Sequence, residues 1–206
     1  AVEGVEAGAW AQDAELELIP RAVMLLVGNG FLLMYAFSIE TIYAMFLKDN
    51  FGYGESVLSM VFALNGLAVG VLQLFGMRHL VRALGKHMML ILGNLFLAIG
   101  MVGMALSRQP ILHFALFTVH IMGYSLADTA LVALISRYAS PATQGRSMGL
   151  NQAAQSMSRV VSPVWSRKRD KLPLGALPYL VGSAFPLVGV AVPFWLYLRS
   201  VEAKVT

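Results

Sequence analysis

Along the chain, apolar residues gather into six long runs separated by short polar connections. The runs fall at about 22–47, 57–75, 88–106, 111–135, 147–165 and 177–198. A helix needs roughly 20 apolar residues to cross a bilayer, and each run is about that long. The pattern predicts a domain of six membrane-crossing helices over 21–199, between a tail at 1–20 and a short tail at 200–206.

The polar interruptions are unevenly spread. The first run holds Asn29 and Glu40, eleven residues apart and so on one helix face. The second holds Asn65, Gln73 and the pair Gly66 and Gly70, a spacing that lets another helix approach closely. The third is apolar apart from Asn94, with Gly93, Gly100 and Gly103 favouring close packing. The fourth carries His113, His120, Tyr124 and Asp128, whereas the sixth carries three prolines and no charge. Ionisable groups therefore sit in the first and fourth runs, and the third and sixth resemble lipid. This three-helix rhythm predicts an all-α membrane protein whose six transmembrane helices form a 3+3 inverted repeat.

The fifth run differs again. Pro141 breaks the preceding helix, since proline has no N–H to donate and biases the residue before it away from the α region. A new helix then starts near Gly145 or Ser147. Asn151, Gln155, Ser158 and Ser162 follow at i, i+4, i+7 and i+11, which is one face. Arg159 lies beside that face. A polar stripe of this kind lines a cavity or seals a protein–protein seam, because exposing it to lipid is unfavourable.

Composition agrees with a bilayer. Of 206 residues 58% are hydrophobic and 13% charged, against about 25% charged in soluble domains. There are no cysteines, so disulfides and cysteine metal sites are excluded. The net charge of +4 lies in loops and reads as topology, with no nucleic acid as partner. Residues 1–20 hold Glu3, Glu6, Asp13, Glu15 and Glu17 before any base, which is unlike a secretory signal. They read as a solvated tail or surface helix.

The connections also orient the helices. With both termini on one side, that side collects Arg21, Arg78, Arg82, Lys86, Arg137, Arg146, Arg199 and Lys204. The other side has Lys48 and Arg108, opposed only by the basic cluster at 167–171. By the positive-inside rule the termini face the cytoplasm or its organellar equivalent. The plasma membrane is the default location, with a mitochondrial or plastid membrane as the alternatives.

Glu40, Asp128 and Arg159 lie inside expected spans, where each charge costs roughly 2.5–3.5 kcal/mol on insertion scales. They need pairing or water. One reading makes Glu40 and Asp128 a proton or substrate relay with Arg159 as counter-charge; the other makes them a structural ion pair. His113, His120 and Tyr124 share a face of the fourth helix, and histidine titrates near neutral pH. They read either as part of that pathway or as polar glue between helices. Several enzyme and channel classes find no support. Gly123-Tyr124-Ser125 lacks the closing glycine of a serine-hydrolase elbow, and no Asn-Pro-Ala pair, Walker motif or metal-ligand cluster occurs. The chain is read as a protein without enzymatic activity, cofactor or metal.

Two segments carry a resemblance. Ser140-Pro141-Ala142-Thr143-Gln144-Gly145-Arg146-Ser147-Met148-Gly149-Leu150-Asn151-Gln152, with Arg159 and Pro163, resembles the loop and helix joining helices ten and eleven of the major facilitator superfamily. The nearest flavour is the drug/proton antiporter branch that includes tetracycline exporters. Gly76-Met77-Arg78-His79-Leu80-Val81-Arg82-Ala83-Leu84-Gly85-Lys86 resembles the basic loop between helices eight and nine. The resemblance covers about 21–198 and implies the C-terminal six-helix half of a twelve-helix transporter. It implies that the first and fourth helices line the central cavity and that the fifth packs against the other half. It also implies that Gly76, Arg82, Gly85 and Lys86 belong to a gating loop. The sequence departs from the family after Pro163, where Val164-Trp165-Ser166-Arg167 stands in place of an early glycine.

The expected function is transmembrane transport of a small solute by a facilitator-type half-transporter, coupled in the antiporter fashion to protons and working with a partner half. Its expected partners are the lipid bilayer and a second six-helix half, whether in the same chain, a homodimer or a separate subunit. The alternative is a degenerate half-transporter serving as a structural accessory subunit of a larger membrane complex.

Overall fold

The computed structural model describes residues 18–38, 40–166 and 177–205. The acidic tail up to residue 17 and the basic cluster at 167–171 lie outside the described residues. Among the described residues the secondary structure is helical throughout, with no strand. The first crossing is made of α1 (Arg21–Phe37) and α2 (Glu40–Phe51). Pro20 stands at the N-cap with extended backbone, where its missing N–H leaves no helical bond unmade. The Ser38 hydroxyl donates to the Met34 carbonyl at 2.7 Å as α1 ends.

The second crossing is α3 (Glu55–Val71), which runs through a π-helical turn (Leu72–Gly76) into α4 (Met77–Leu106). Together these give 52 residues of continuous helix. At 1.5 Å per residue that is roughly 78 Å, more than twice a hydrocarbon core. Gly85 resolves the mismatch. Its φ of 75° and ψ of 162° break the helical path, and only glycine reaches such a conformation without strain. The third crossing is the part of α4 beyond this kink. The fourth is α5 (Pro110–Tyr138), with proline at its first position. The fifth is α6 (Gln144–Ser166), and the sixth is α7 (Leu177–Val205), with Pro186 and Pro193 inside it.

Glu55–Leu106, Pro110–Tyr138 and Leu177–Val201 are long and apolar enough to cross a membrane. Helix α6 stays outside that group because its polar stripe lowers its hydropathy. Helix α1 is apolar but has only 17 residues, and the first crossing needs α2 to complete it. The second crossing begins at Glu55, with Gly54 in extended backbone as its cap.

The helices pack in a symmetric order. The third crossing packs most extensively on the fourth and next on the sixth, and the first packs on the fifth, sixth and fourth. The second packs mainly on the fourth. Exchanging first with fourth, second with fifth and third with sixth maps this set of pairings onto itself. That is the signature of the 3+3 inverted repeat.

Glycine sets the tightest of these contacts. A Cβ on Gly93 would meet the Ala127 backbone nitrogen at 2.5 Å, and one on Gly100 would meet the His120 Cβ at 2.7 Å. Around this seam the core is built from Leu26, Leu33, Leu97, Met101, Phe117 and Leu131, all buried. Where α1, α4 and α7 meet, the Asn29 side-chain nitrogen donates to the Gly189 carbonyl and that of Asn94 to the Leu90 carbonyl at 2.8 Å, while both side-chain oxygens stay buried without a partner among the described residues.

Candidate site between the first, second and fourth crossings

A cavity of about 290 Å³ opens between α2, α3 and α5. Glu40 borders it from the first crossing, Asn65 and Gln73 from the second, and Tyr124, Ser125 and Asp128 from the fourth. A second space of about 240 Å³ adjoins it, bordered by Met34, Phe37, Glu40, Phe62 and Arg159. Glu40 thus stands on both, with Asp128 on one and Arg159 on the other.

The charged groups are held by neutral partners. Gln155 donates from Nε2 to Asp128 Oδ1 at 3.1 Å. Arg159 donates from Nε to the Met34 sulfur at 3.3 Å. Among the described residues, Glu40, Asp128 and Arg159 form no ion pair with one another. Tyr124 borders the same cavity as Glu40 and Asp128. Its ring stacks on Phe37 with centroids 3.8 Å apart. The result is a small, mainly apolar chamber with two carboxylates and aromatic rings on its lining, and a guanidinium on the adjoining space.

Helical periodicity places the polar stripe of α6 on one face, and packing decides where that face points. Ser158 donates to the Phe31 carbonyl at 2.9 Å and Ser162 to the Tyr35 carbonyl at 3.1 Å. Asn151 lies where a side chain on Gly30 would have to sit. Asn151, Gln155, Ser158 and Ser162 are all buried within the six-helix unit, against α1 and α5. The open face of α6 is the opposite one, with Met157 and Val160 exposed.

The histidines are apart from the cavity. His113 is fully buried, its ring 5.6 Å from Tyr43, 4.8 Å from Phe46 and 5.3 Å from Phe51. His120 lies between Phe37 and Phe117, backed by the close approach at Gly100. Both histidines lie among aromatic rings, and both ring nitrogens of His113 and Nδ1 of His120 find no hydrogen-bond partner among the described residues. Of the loop residues, Gly76 closes the π-turn, Arg82 is exposed, and Gly85 and Lys86 border a different cleft.

Asn65, Gln73, Ser125 and Thr129 were not expected to join the site. Gln73 donates to the Ser125 hydroxyl at 3.2 Å, tying the second crossing to the fourth. A signal was present: Asn65 and Gln73 are polar interruptions in an apolar helix, eight residues apart and so near one face. The π-turn that begins at Leu72 changes the local pitch beside Gln73, and such turns recur at functional sites.

Comparison with known proteins bears on this architecture. The profile described as Major Facilitator Superfamily matches residues 25–205, most of the chain. The chain is also 32% identical over 82 residues to the MFS-type transporter PUL3 of Kluyveromyces lactis. That match covers 40% of this chain and 18% of the relative, so it spans less than a fifth of the relative's length. With its symmetric six-helix packing and a profile match over nearly its whole length, the chain belongs to the major facilitator superfamily, a family of multi-pass membrane transporters.

Proposed function

We propose that this chain forms one half of a facilitator-type transporter that moves a small, partly apolar cation through the chamber bordered by Glu40 and Asp128. The observation that carries the reading is the placement of two membrane-embedded carboxylates on one cavity lined by Phe37, Phe62 and Tyr124. Carboxylates and aromatic faces both attract positive charge. Proton coupling in the antiporter fashion fits the same carboxylates, which exchange a proton for the cation. Arg159, on the adjoining space, supplies the counter-charge when the chamber is empty of solute.

A partner half is part of the proposal. Among the described residues, nothing lies within 4 Å of where a side chain on Gly66, Gly70, Gly145 or Gly149 would sit. The first pair is on α3 and the second on α6, the symmetry-related second and fifth crossings. Small residues four apart on both helices suit a close helix–helix seam. The second half closes the chamber along this seam, and rocking about it gives alternating access.

The absence of native cysteine allows a direct test. Thr129, on the chamber wall, and Ile99, 55% exposed on the outer surface of α4, are each replaced by cysteine. In membranes, Thr129→Cys is expected to react with a small water-soluble thiol reagent, and a lipophilic cation such as ethidium is expected to slow that reaction. Ile99→Cys is expected to stay unreactive, because lipid covers it. Equal reactivity of the two positions, unchanged by ethidium, would count against a wet, cation-binding chamber.

A further inference from the structure

A larger cleft, of about 840 Å³, lies at the opposite end of the bundle from the α2–α3 connection. Four segments distant in sequence build it: the start of α1, the Gly85 kink, the end of α5 and the end of α7. Each brings a cation, namely Arg21, Lys86, Arg137 and Arg199, and none of the described lining residues is acidic. The positive-inside rule accounts for basic residues on this side, but it asks only that they lie in loops, not that they converge on one cavity. Four like charges around one space repel, and an anion between them relieves that repulsion.

The walls refine the ligand class. Trp195 carries Arg199 4.4 Å over its ring, which holds the guanidinium at the rim. His87 and Tyr138 form a 3.0 Å hydrogen bond on another wall. Among the described residues, Lys86 donates to the Ala133 carbonyl at 3.4 Å, and its ammonium has two further N–H groups to offer a ligand. Leu84, Met88 and Leu196 make the remaining surface apolar. Cations with an aromatic and apolar surround, at a membrane end of several helices, suit a phosphate group attached to an apolar body.

We infer that this cleft is a binding site for a phosphate anion, carried by an anionic phospholipid headgroup or free in solution. The site is separate from the Glu40–Asp128 chamber and does not depend on transport. The kink at Gly85 is what turns Lys86 into it.

The test uses the whole chain purified in mild detergent and stripped of lipid. Native mass spectrometry compares retention of phosphatidylglycerol with phosphatidylcholine, and calorimetry measures binding of inorganic phosphate. The expected result is preferential retention of phosphatidylglycerol, weakened about tenfold or more in the Arg137→Gln/Arg199→Gln double variant. Arg137→Lys/Arg199→Lys is expected to restore most of it, showing that the charge and not the fold was lost. Arg108→Gln, at the other end of the bundle, is expected to change nothing. Phosphate binding with the same variant pattern, in place of lipid retention, identifies the free anion as the ligand. If neither anion binds, or if Arg108→Gln weakens binding as much as the double variant, the inference is overturned.

Discussion

Gly93→Leu is expected to prevent the chain from folding, while Gly66→Leu is expected to leave the six-helix unit as stable as the parent. The two glycines look alike in sequence, each in an apolar run beside other glycines. Their surroundings differ. A Cβ on Gly93 meets the Ala127 nitrogen at 2.5 Å and the Gly123 carbonyl oxygen at 2.7 Å. These are backbone atoms, so relief requires moving α4 and α5 apart along the most extensive helix pairing in the molecule. Overpacking usually costs about 1–3 kcal/mol, and a clash with backbone lies at or beyond the upper end. Gly66 has nothing within 4 Å among the described residues. Thermal unfolding in detergent checks both. Equal stability of the two variants would mean that α4 and α5 do not approach as described.

The second large effect concerns flux. In proteoliposomes holding the chain with its partner half, Asp128→Asn is expected to lower ethidium uptake driven by a pH gradient by about ten- to a hundredfold. Asparagine nearly matches aspartate in shape, and the Gln155 side chain that donates to Asp128 remains in place. What is lost is a charged acceptor, and hydrogen bonds to charged groups contribute roughly 1.5–3 kcal/mol. At 1.4 kcal/mol per factor of ten, that range gives the stated loss. The fold is expected to survive, because Asp128 is only part-buried and forms no ion pair among the described residues. Unchanged uptake by a folded Asp128→Asn variant would remove Asp128 from the pathway.

Much of the fold is written in one dimension. Runs of apolar residues must become helices in lipid, because a bilayer leaves backbone groups no other partner. The clustering of ionisable groups in the first and fourth runs then marks the interior of a repeat. Periodicity also puts Asn151, Gln155, Ser158 and Ser162 on one face. It does not say which neighbour that face meets, and here it meets the Phe31 and Tyr35 carbonyls of α1. His113 and His120 show the same limit. Their spacing gives a shared face, but whether the face borders water or rings depends on Tyr43, Phe46 and Phe51, which come from another helix. The Gly85 conformation was only half legible: its place in the basic connection between two runs suits a turn, but that the turn is made by a single positive φ at Gly85 depends on how the two crossings meet. Asn65 and Gln73 became part of the site only when α3 was laid against α5.

The central claim is that the chamber is completed by a second half docking on α3 and α6. It is tested most directly by the mass and composition of the particle extracted from its membrane in mild detergent. The account predicts a particle with twelve crossings in two comparable halves, which Gly66→Leu or Gly149→Leu splits while each half stays folded. A single six-helix unit standing alone, or one copy held among unrelated subunits and indifferent to both substitutions, would contradict it.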